Sequence, residues 1–285
     1  MEQTISRKHS AKVVIRKASG WCIQHPMAAV CLYICLVSLF FLIFPGTDFL
    51  ASGLFYFESS GFAAQNKQFL RDVRHLGPFL VRVTAIVCVG VLLLKLLAPG
   101  RPPLLPLRQP VFLLTTLILG PGLLVNTILK DNWGRPRPRY VEQFGGDLPY
   151  QPVWKITDYC DKNCSFVSGE ASAGMWLVSL AFLVPATWRK AALSFLLPLC
   201  VVLSVNRVAF GGHFLSDTLL SWGLTLLLVL AVYRLLYLND PPLVTDRKLD
   251  EWFTIKGRRL QRAMRRLGVR AKRSLRDAIR KLSDR

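Results

Sequence analysis

Apolar residues occur along this chain in six long blocks that are separated by polar segments. Each block has roughly 20 residues, the length that an α-helix needs to cross a hydrocarbon core about 30 Å thick. The blocks cover approximately residues 27–44, 79–98, 111–129, 169–186, 191–210 and 214–238. This pattern predicts an all-α fold, a six-helix transmembrane bundle, and therefore a polytopic membrane protein.

The segments outside the blocks divide the chain into three predicted parts. Residues 1–26 form a basic N-terminal tail, residues 27–238 form the six-span domain, and residues 239–285 form a second basic tail. In the second tail, apolar residues recur near helical spacing and arginines occupy the remaining faces. This pattern is typical of an amphipathic helix on an anionic leaflet, so we expect membrane lipids as partners there. A solvated basic helix without a membrane contact is the alternative.

The distribution of charge predicts the orientation in the membrane. The N-terminal tail and the connections after the second and fourth blocks are basic, and residues 239–285 hold 15 Lys and Arg against 6 Asp and Glu. With six spans these segments share one side, which the positive-inside rule places in the cytoplasm. Both termini are therefore predicted to be cytoplasmic, and the nearly neutral loop 130–167 is predicted to lie outside. The first block lacks a small-residue cleavage site, so we expect a retained helix rather than a signal peptide.

Composition then excludes other classes of protein. Hydrophobic residues make up 52% of the chain, which excludes disorder. The formal net charge of +20 would suit a nucleic-acid-binding domain, but the membrane-length blocks argue against one, so we expect no nucleic-acid partner. The seven cysteines are too scattered for a disulfide scaffold. Only Cys160 and Cys164 share a polar loop, and the sequence leaves their pairing open.

Three polar segments at the ends of blocks carry groups that suit a phosphate. They cover residues 130–138, 164–170 and 206–217, and all three are predicted to lie on the outer face. Lys130, Arg137 and Arg207 supply cations, and arginine forks match phosphate oxygens. Ser168 and Gly169 open a helix, where free N–H groups and the helix dipole favour an anion.

The third segment also contains a candidate nucleophile. His213 and Asp217 are four residues apart, so their side chains would meet if the stretch between them is helical. A carboxylate that holds one imidazole nitrogen leaves the other nitrogen free to act as nucleophile or base. Together with the cations and the helix N-terminus, this pair predicts a phosphoryl-transfer site.

In these segments the sequence resembles the type 2 phosphatidic acid phosphatases, also called lipid phosphate phosphatases. The family pattern is Lys-x6-Arg-Pro, then Pro-Ser-Gly-His, then Ser-Arg-x5-His-x3-Asp. The chain matches the first motif in full and matches the second only at Ser168 and Gly169, with Glu170 in place of the histidine. The third motif matches except that Asn206 replaces the serine. The resemblance covers about residues 79–238 and suits the membrane branch of the family.

The resemblance implies a role for each matching residue. Lys130, Arg137 and Arg207 would bind the phosphate oxygens, together with the Ser168 hydroxyl and the Gly169 N–H. His213 would attack phosphorus and form a phosphohistidine, which water would hydrolyse, and Asp217 would orient it. Glu170 stands where the family has its general acid. The family uses no metal or other cofactor, so none is expected here.

These expectations favour one function and leave two alternatives. The favoured function is an integral-membrane phosphatase that hydrolyses a lipid phosphate or diphosphate at the outer, periplasmic face of a bacterial inner membrane. A phosphotransferase that passes the phosphoryl group to another acceptor is one alternative. The other is a lipid-phosphate binder or transporter without catalysis. Retention of both His213 and Asp217 argues against simple binding, for which the cations alone would suffice.

Glu170 carries a separate hypothesis. A glutamic acid with an ordinary pKa of about 4.3 is ionised at neutral pH and donates a proton poorly. A weak acid at this position would favour diphosphate lipids, whose leaving group needs little protonation, over monoesters. The alternative is that Glu170 only pairs with an arginine, and another group or water supplies the proton.

Overall fold

The computed structural model describes residues 20–283, and it confirms the prediction of an all-α bundle. The first helices are α1 (Pro26–Ile43), α2 (Gly46–Gly53), α3 (Gln68–Leu97) and α4 (Arg108–Asn132). They are followed by α5 (Gly169–Val178), α6 (Ala186–Ala209), α7 (Leu215–Leu238) and α8 (Asp246–Ser283). Two short antiparallel strands, β1 (Tyr56–Phe57) and β2 (Gly61–Phe62), lie between α2 and α3. The predicted orientation rests partly on the basic N-terminal residues 1–19, which lie outside the described residues.

Within the described residues, five helices are long and apolar enough to cross a membrane, one fewer than the six predicted spans, namely α1, α3, α4, α6 and α7. The chain is therefore a multi-pass membrane protein. The predicted fourth segment, 169–186, differs from the others, because α5 has only 10 residues and continues as a 3-10 turn over Ser179–Phe182. Most of α5 is buried in protein. Neighbouring helices therefore shield this short segment from lipid, and α5 carries the second motif into the interior.

The chain divides into two compact units. The first unit comprises the described parts of Met1–Arg82 and Thr115–Arg234. Glycines allow its helices to approach closely: a Cβ at Gly223 of α7 would lie 2.6 Å from Ile34 Cγ1 of α1. Likewise, a Cβ at Gly174 of α5 would lie 3.2 Å from the Cys200 Cα atom of α6. Small residues at such crossings are typical of membrane helices, which pack without a strong hydrophobic driving force.

Helix α4 absorbs a proline without breaking. It is α-helical over Arg108–Leu117, π-helical over Ile118–Leu129 and α-helical again in its last turn. Pro121 has no N–H to donate, and the wider π-helical turns accommodate this gap in the hydrogen-bond ladder. The Asn126 side chain donates to the Pro121 carbonyl over 2.7 Å, which satisfies a backbone group in the altered ladder. The helix therefore continues to Lys130, at the end that carries the first motif.

The second unit comprises Val83–Leu114 and the described part of Leu235–Arg285. In it, α8 is anchored by two ion pairs near its N-terminus. Lys95 Nζ lies 2.7 Å from Asp250 Oδ1, and Arg108 Nε lies 2.7 Å from Asp246 Oδ2. Beyond this anchored part, α8 exposes most of its arginines, as expected for the amphipathic helix that the tail sequence predicts.

Candidate active site

The three motif segments meet at one end of the first unit. Lys130 lies in the last turn of α4, α5 begins at Gly169, and Arg207 lies in the last turn of α6. His213 lies in the short connection between α6 and α7 and is fully buried. Lys130, Arg137 and Arg207 are buried as well. The structure thus brings together the three cations and the histidine that the sequence selected.

Two glycines explain how the cations fit against the backbone. A Cβ at Gly169 would lie 3.3 Å from Lys130 Nζ and 2.9 Å from Asn126 Oδ1. A Cβ at Gly212 would lie 2.6 Å from Arg207 Nη2. A side chain at Gly212 would displace Arg207, and one at Gly169 would displace Asn126 and press on Lys130. Both glycines therefore shape the space around the phosphate-binding groups.

His213 is held in the form that a nucleophile requires. Its Nδ1 lies 2.7 Å from the Ser165 backbone carbonyl, which only accepts hydrogen bonds. The proton must therefore be on Nδ1, and the lone pair is on Nε2. Burial lowers the pKa of His213 from 6.5 to about 3, so the imidazole is neutral at physiological pH.

Several buried polar atoms converge on the free nitrogen of His213. Glu170 Oε1 lies 3.1 Å from Arg207 Nε, and Glu170 Oε2 lies 3.6 Å from His213 Nε2. Within residues 20–283, Glu170 Oε2, His213 Nε2 and Arg207 Nη1 have no hydrogen-bond partner, and Arg207 Nε contacts Glu170 only as an ion pair. Buried polar groups are normally satisfied, so this cluster is suited to a ligand that carries hydrogen-bond acceptors and negative charge.

Ser168 caps helix α5, as its position before Gly169 indicates. Its hydroxyl accepts a 3.3 Å hydrogen bond from the Ala171 backbone N–H. The Ser168 carbonyl accepts a 2.6 Å bond from Ser221 Oγ on α7. These bonds fix the N-terminus of α5 beside Lys130, and the Ser168 hydroxyl proton stays available to a ligand.

The condition for a direct contact between His213 and Asp217, a helical stretch between them, is not met. Helix α7 begins at Leu215, so His213 lies outside it and the four-residue spacing does not bring the two side chains together. Asp217 Oδ2 instead accepts from Ser165 Oγ over 2.6 Å and from the Phe214 backbone N–H over 2.9 Å. Asp217 therefore reaches His213 through Ser165, whose carbonyl holds the imidazole.

Sequence reasoning missed a buried ion network behind the histidine. Arg135 is fully buried between Asp217 and Asp48, and its Nη2 donates to Asp48 Oδ2 over 2.9 Å. Asp48, in α2, also accepts from Tyr150 and from the backbone and side chain of Ser216. The two carboxylates raise the pKa of Arg135, although burial opposes this effect. Arg135 was the available signal, because it is a second arginine inside the first motif, beside Arg137.

The loop after α4 holds Arg137 in place. Arg137 Nε and Nη2 donate to the Asn163 carbonyl over 3.2 and 2.6 Å. Asn163 lies inside a small loop closed by a disulfide between Cys160 and Cys164, whose Cα atoms are 5.8 Å apart. The pairing that the sequence left open is thus present. Burial and then the neighbouring Arg139 lower the pKa of Arg137.

The state of His213 leads to a spectroscopic prediction. An ordinary histidine titrates near pH 6.5, whereas a buried neutral imidazole with a pKa near 3 keeps its form above about pH 5. We expect one of the four histidine signals in the NMR spectrum of ¹⁵N-histidine-labelled protein not to titrate between about pH 5 and 8. The His213→Gln variant should lack that signal. If the signal lost in His213→Gln titrates near pH 6.5 in the wild type, the buried neutral imidazole is wrong.

Comparison with known proteins identifies a family whose sequence profile fits the site. A profile described as the PAP2 superfamily matches residues 109–241, which include all three motif segments. The chain is similar to a lipid A 4'-phosphatase from Francisella tularensis subsp. novicida, with 37% identity over 203 residues. That match covers 70% of this chain and 90% of the relative.

One further relative matches over a shorter segment, and one solved structure is less similar in sequence. A lipid A 4'-phosphatase from Rhizobium leguminosarum is 42% identical over 122 residues, which are 43% of this chain and 52% of that protein. A solved transmembrane PAP2 type phosphatidylglycerolphosphate phosphatase from Bacillus subtilis has 18% sequence identity and a TM-score of 0.46. That comparison covers 72% of this chain and 93% of the solved chain.

Proposed function

Because this chain belongs to the PAP2 superfamily, we propose that it is an integral-membrane phosphatase that hydrolyses a lipid phosphate through a phosphohistidine. Two similar proteins are named lipid A 4'-phosphatase, so we infer a phosphorylated glycolipid of the lipid A type as the substrate. The observation that carries the proposal is His213, which is neutral, holds its lone pair on Nε2 and faces Arg207 and Glu170.

In the first step, His213 Nε2 attacks phosphorus and the bond to the lipid oxygen breaks. The proton stays on Nδ1, in its hydrogen bond to the Ser165 carbonyl. This hydrogen bond stabilises the positive charge of the phosphohistidine. Asp217 supports the step indirectly, since it holds Ser165 by its hydroxyl. Asp217 is therefore proposed as a positioning residue.

The cations stabilise the charge on the phosphoryl oxygens during transfer. Lys130, Arg137 and Arg207 surround the site in a buried, low-dielectric region, where preorganised charges act more strongly than in water. The N-terminus of α5 adds the Gly169 N–H group and the Ser168 hydroxyl. With three cations in place, the proposed reaction needs no metal ion or other cofactor.

Glu170 is proposed as the proton donor to the leaving oxygen and then as the base that activates water. Its carboxylate lies between Arg207 and the free nitrogen of His213, where both the entering phosphate and the leaving group pass. The ion pair with Arg207 favours the ionised carboxylate in the absence of a ligand. A phosphate dianion bound beside Glu170 has the opposite effect and favours uptake of a proton, because two adjacent anions repel each other. In the second step, water transfers a proton to Glu170 and its oxygen attacks phosphorus, which releases inorganic phosphate and His213.

The charge distribution supports a bacterial inner membrane with both termini in the cytoplasm. Arg189 and Lys190 are exposed near the start of α6, at the opposite end from Arg207. The positive-inside rule then places the motif segments on the periplasmic side. In this arrangement residues 27–238 form the phosphatase domain, and the tail 239–285 lies on the anionic cytoplasmic leaflet.

Phosphate release from purified protein in detergent tests the proposed function. We expect the wild type to release inorganic phosphate from lipid A, in water and without an added acceptor. Retention of bound lipid without release would support the binder, and release only with an acceptor would support the phosphotransferase.

The role of Glu170 is tested with two types of substrate. We expect Glu170→Gln to lower the rate on a lipid phosphomonoester by about 10²- to 10⁴-fold, the usual contribution of a general acid. The effect on a lipid diphosphate should be much smaller, because its leaving group departs without a proton. We also expect Glu170→His to raise monoester turnover at neutral pH relative to wild type. Equal effects of Glu170→Gln on both substrates across a pH–rate series would remove Glu170 from proton transfer.

A further inference from the structure

A second cavity lined by cations adjoins the phosphate site in the first unit. It has a volume of about 280 Å³, and we call it the Arg139 pocket. Its lining residues are Pro136, Arg137, Arg139, Tyr140, Leu148, Tyr159, Cys160, Lys162 and Asn163. Three of them are cations, and none is acidic. This composition indicates an anionic ligand with a polar or aromatic surface beside it.

Arg137 lines this pocket and is also one of the phosphate-binding cations of the proposed active site. It belongs to the first motif, yet its Nε and Nη2 atoms point to the Asn163 carbonyl, which also lines the pocket. Near this part of the loop, Asp131 Oδ1 accepts from the Asn163 backbone N–H over 3.1 Å. A single molecule can therefore place one group at His213 and another in the Arg139 pocket, on either side of Arg137.

Arg139 is held beside the reaction site with part of its guanidinium unused. Its backbone N–H donates to the Gly211 carbonyl over 3.2 Å, in the connection that carries His213. The guanidinium lies 5.0 Å from the centre of the Tyr140 ring. Arg139 Nε is buried and has no hydrogen-bond partner within residues 20–283. A buried donor on a fixed arginine is suited to bind an anion.

We propose that the Arg139 pocket binds a second anionic group, a phosphate or a carboxylate, of the same lipid whose first phosphate reacts at His213. Arg139 and Lys162 bind this group, and Arg137 contributes to both sites. The inference rests on the proposed function and extends it, because it makes the enzyme selective for lipids with at least two anionic groups. Inorganic phosphate leaving the active site has the same chemistry and is the competing source of the anion.

The test compares a disaccharide lipid that carries two phosphates with a matched lipid that carries only the phosphate to be released. Arg139→Ala and Lys162→Ala are the variants, and Lys155→Ala is the matched control, an exposed lysine on the same loop that does not line the pocket. We expect Arg139→Ala to lower kcat/KM for the diphosphorylated lipid by about 10-fold or more, the value of a hydrogen bond to a charged group. The effect on the monophosphorylated lipid should be less than about 2-fold, and Lys155→Ala should change neither value.

Two outcomes of these measurements would overturn the proposal. Equal losses on both lipids in Arg139→Ala and Lys162→Ala would overturn the proposal, since the residues would then serve the reacting phosphate or the fold. A weaker inhibition by inorganic phosphate, with kcat/KM retained on both lipids, would assign the pocket to the product and also overturn it. Binding of the two lipids to His213→Gln, with and without Arg139→Ala, gives the same comparison without turnover. Because this binding measurement needs no turnover, it can contradict the proposal for the Arg139 pocket whether or not the proposed phosphatase function is correct.

Discussion

Replacement of His213 by glutamine is expected to lower phosphate release by about 10⁴-fold or more, the loss seen when the nucleophile of a covalent mechanism is removed. His213 combines a free lone pair on Nε2 with complete burial and an orientation fixed by the Ser165 carbonyl. Glutamine can still donate to the Ser165 carbonyl, so the fold should be retained. The expected loss is therefore chemical rather than structural.

The measurement is inorganic phosphate released from a lipid phosphate by purified protein. His75→Gln is the matched control, because His75 is exposed on α3 and far from the motif segments in sequence. It should retain wild-type activity, and the thermal unfolding of both variants should resemble that of the wild type. Substantial activity in His213→Gln would contradict the phosphohistidine mechanism.

Replacement of Arg135 by alanine is expected to lower the free energy of unfolding by about 3–5 kcal/mol, the usual cost of removing one partner of a buried ion pair. Asp48 and Asp217 are both fully buried, and each would lose its arginine. Activity should also fall, because Asp217 and Ser165 position His213. The equivalent change at an exposed arginine, Arg71→Ala, should cost no more than about 0.5 kcal/mol.

A triple variant separates stability from catalysis in this network. In Arg135→Met, Asp48→Asn, Asp217→Asn, no buried charge remains unpaired, so most of the stability lost in Arg135→Ala should return. Activity should stay low, because the negative charge of Asp217 behind Ser165 is absent. Thermal unfolding and phosphate release of each variant, measured in the same detergent, give both values. A triple variant as unstable as Arg135→Ala would show that the ion network is not the source of the instability.

Hydropathy alone predicted most of the fold, because long apolar runs leave a chain few structures other than membrane helices. It was less accurate where helices extend beyond the apolar run. Helix α3 begins at Gln68 rather than near residue 79, because its first turns are polar and lie outside the apolar block. Helix α5 is shorter than predicted, since its burial by protein removes the need to match the thickness of the lipid.

The site was predictable to the extent that local sequence determines it. Motif spacing selected Lys130, Arg137, Arg207 and His213, and the structure brings all four together. The partners of these groups were not predictable. The Ser165 carbonyl holds His213 from 48 residues away, and Asp48 reaches Arg135 from 87 residues away. Contacts over such distances depend on tertiary packing, which a single sequence does not display.

The reaction intermediate distinguishes a phosphohistidine mechanism from direct attack by water on the lipid phosphate. Wild-type protein is mixed with a lipid phosphate labelled with ³²P, quenched in alkali within one turnover and digested for mass spectrometry. We expect a labelled phosphohistidine on the peptide that contains His213, present in His75→Gln and absent from His213→Gln. Release of phosphate by the wild type with no label at His213, or with label on another residue, would contradict this mechanism.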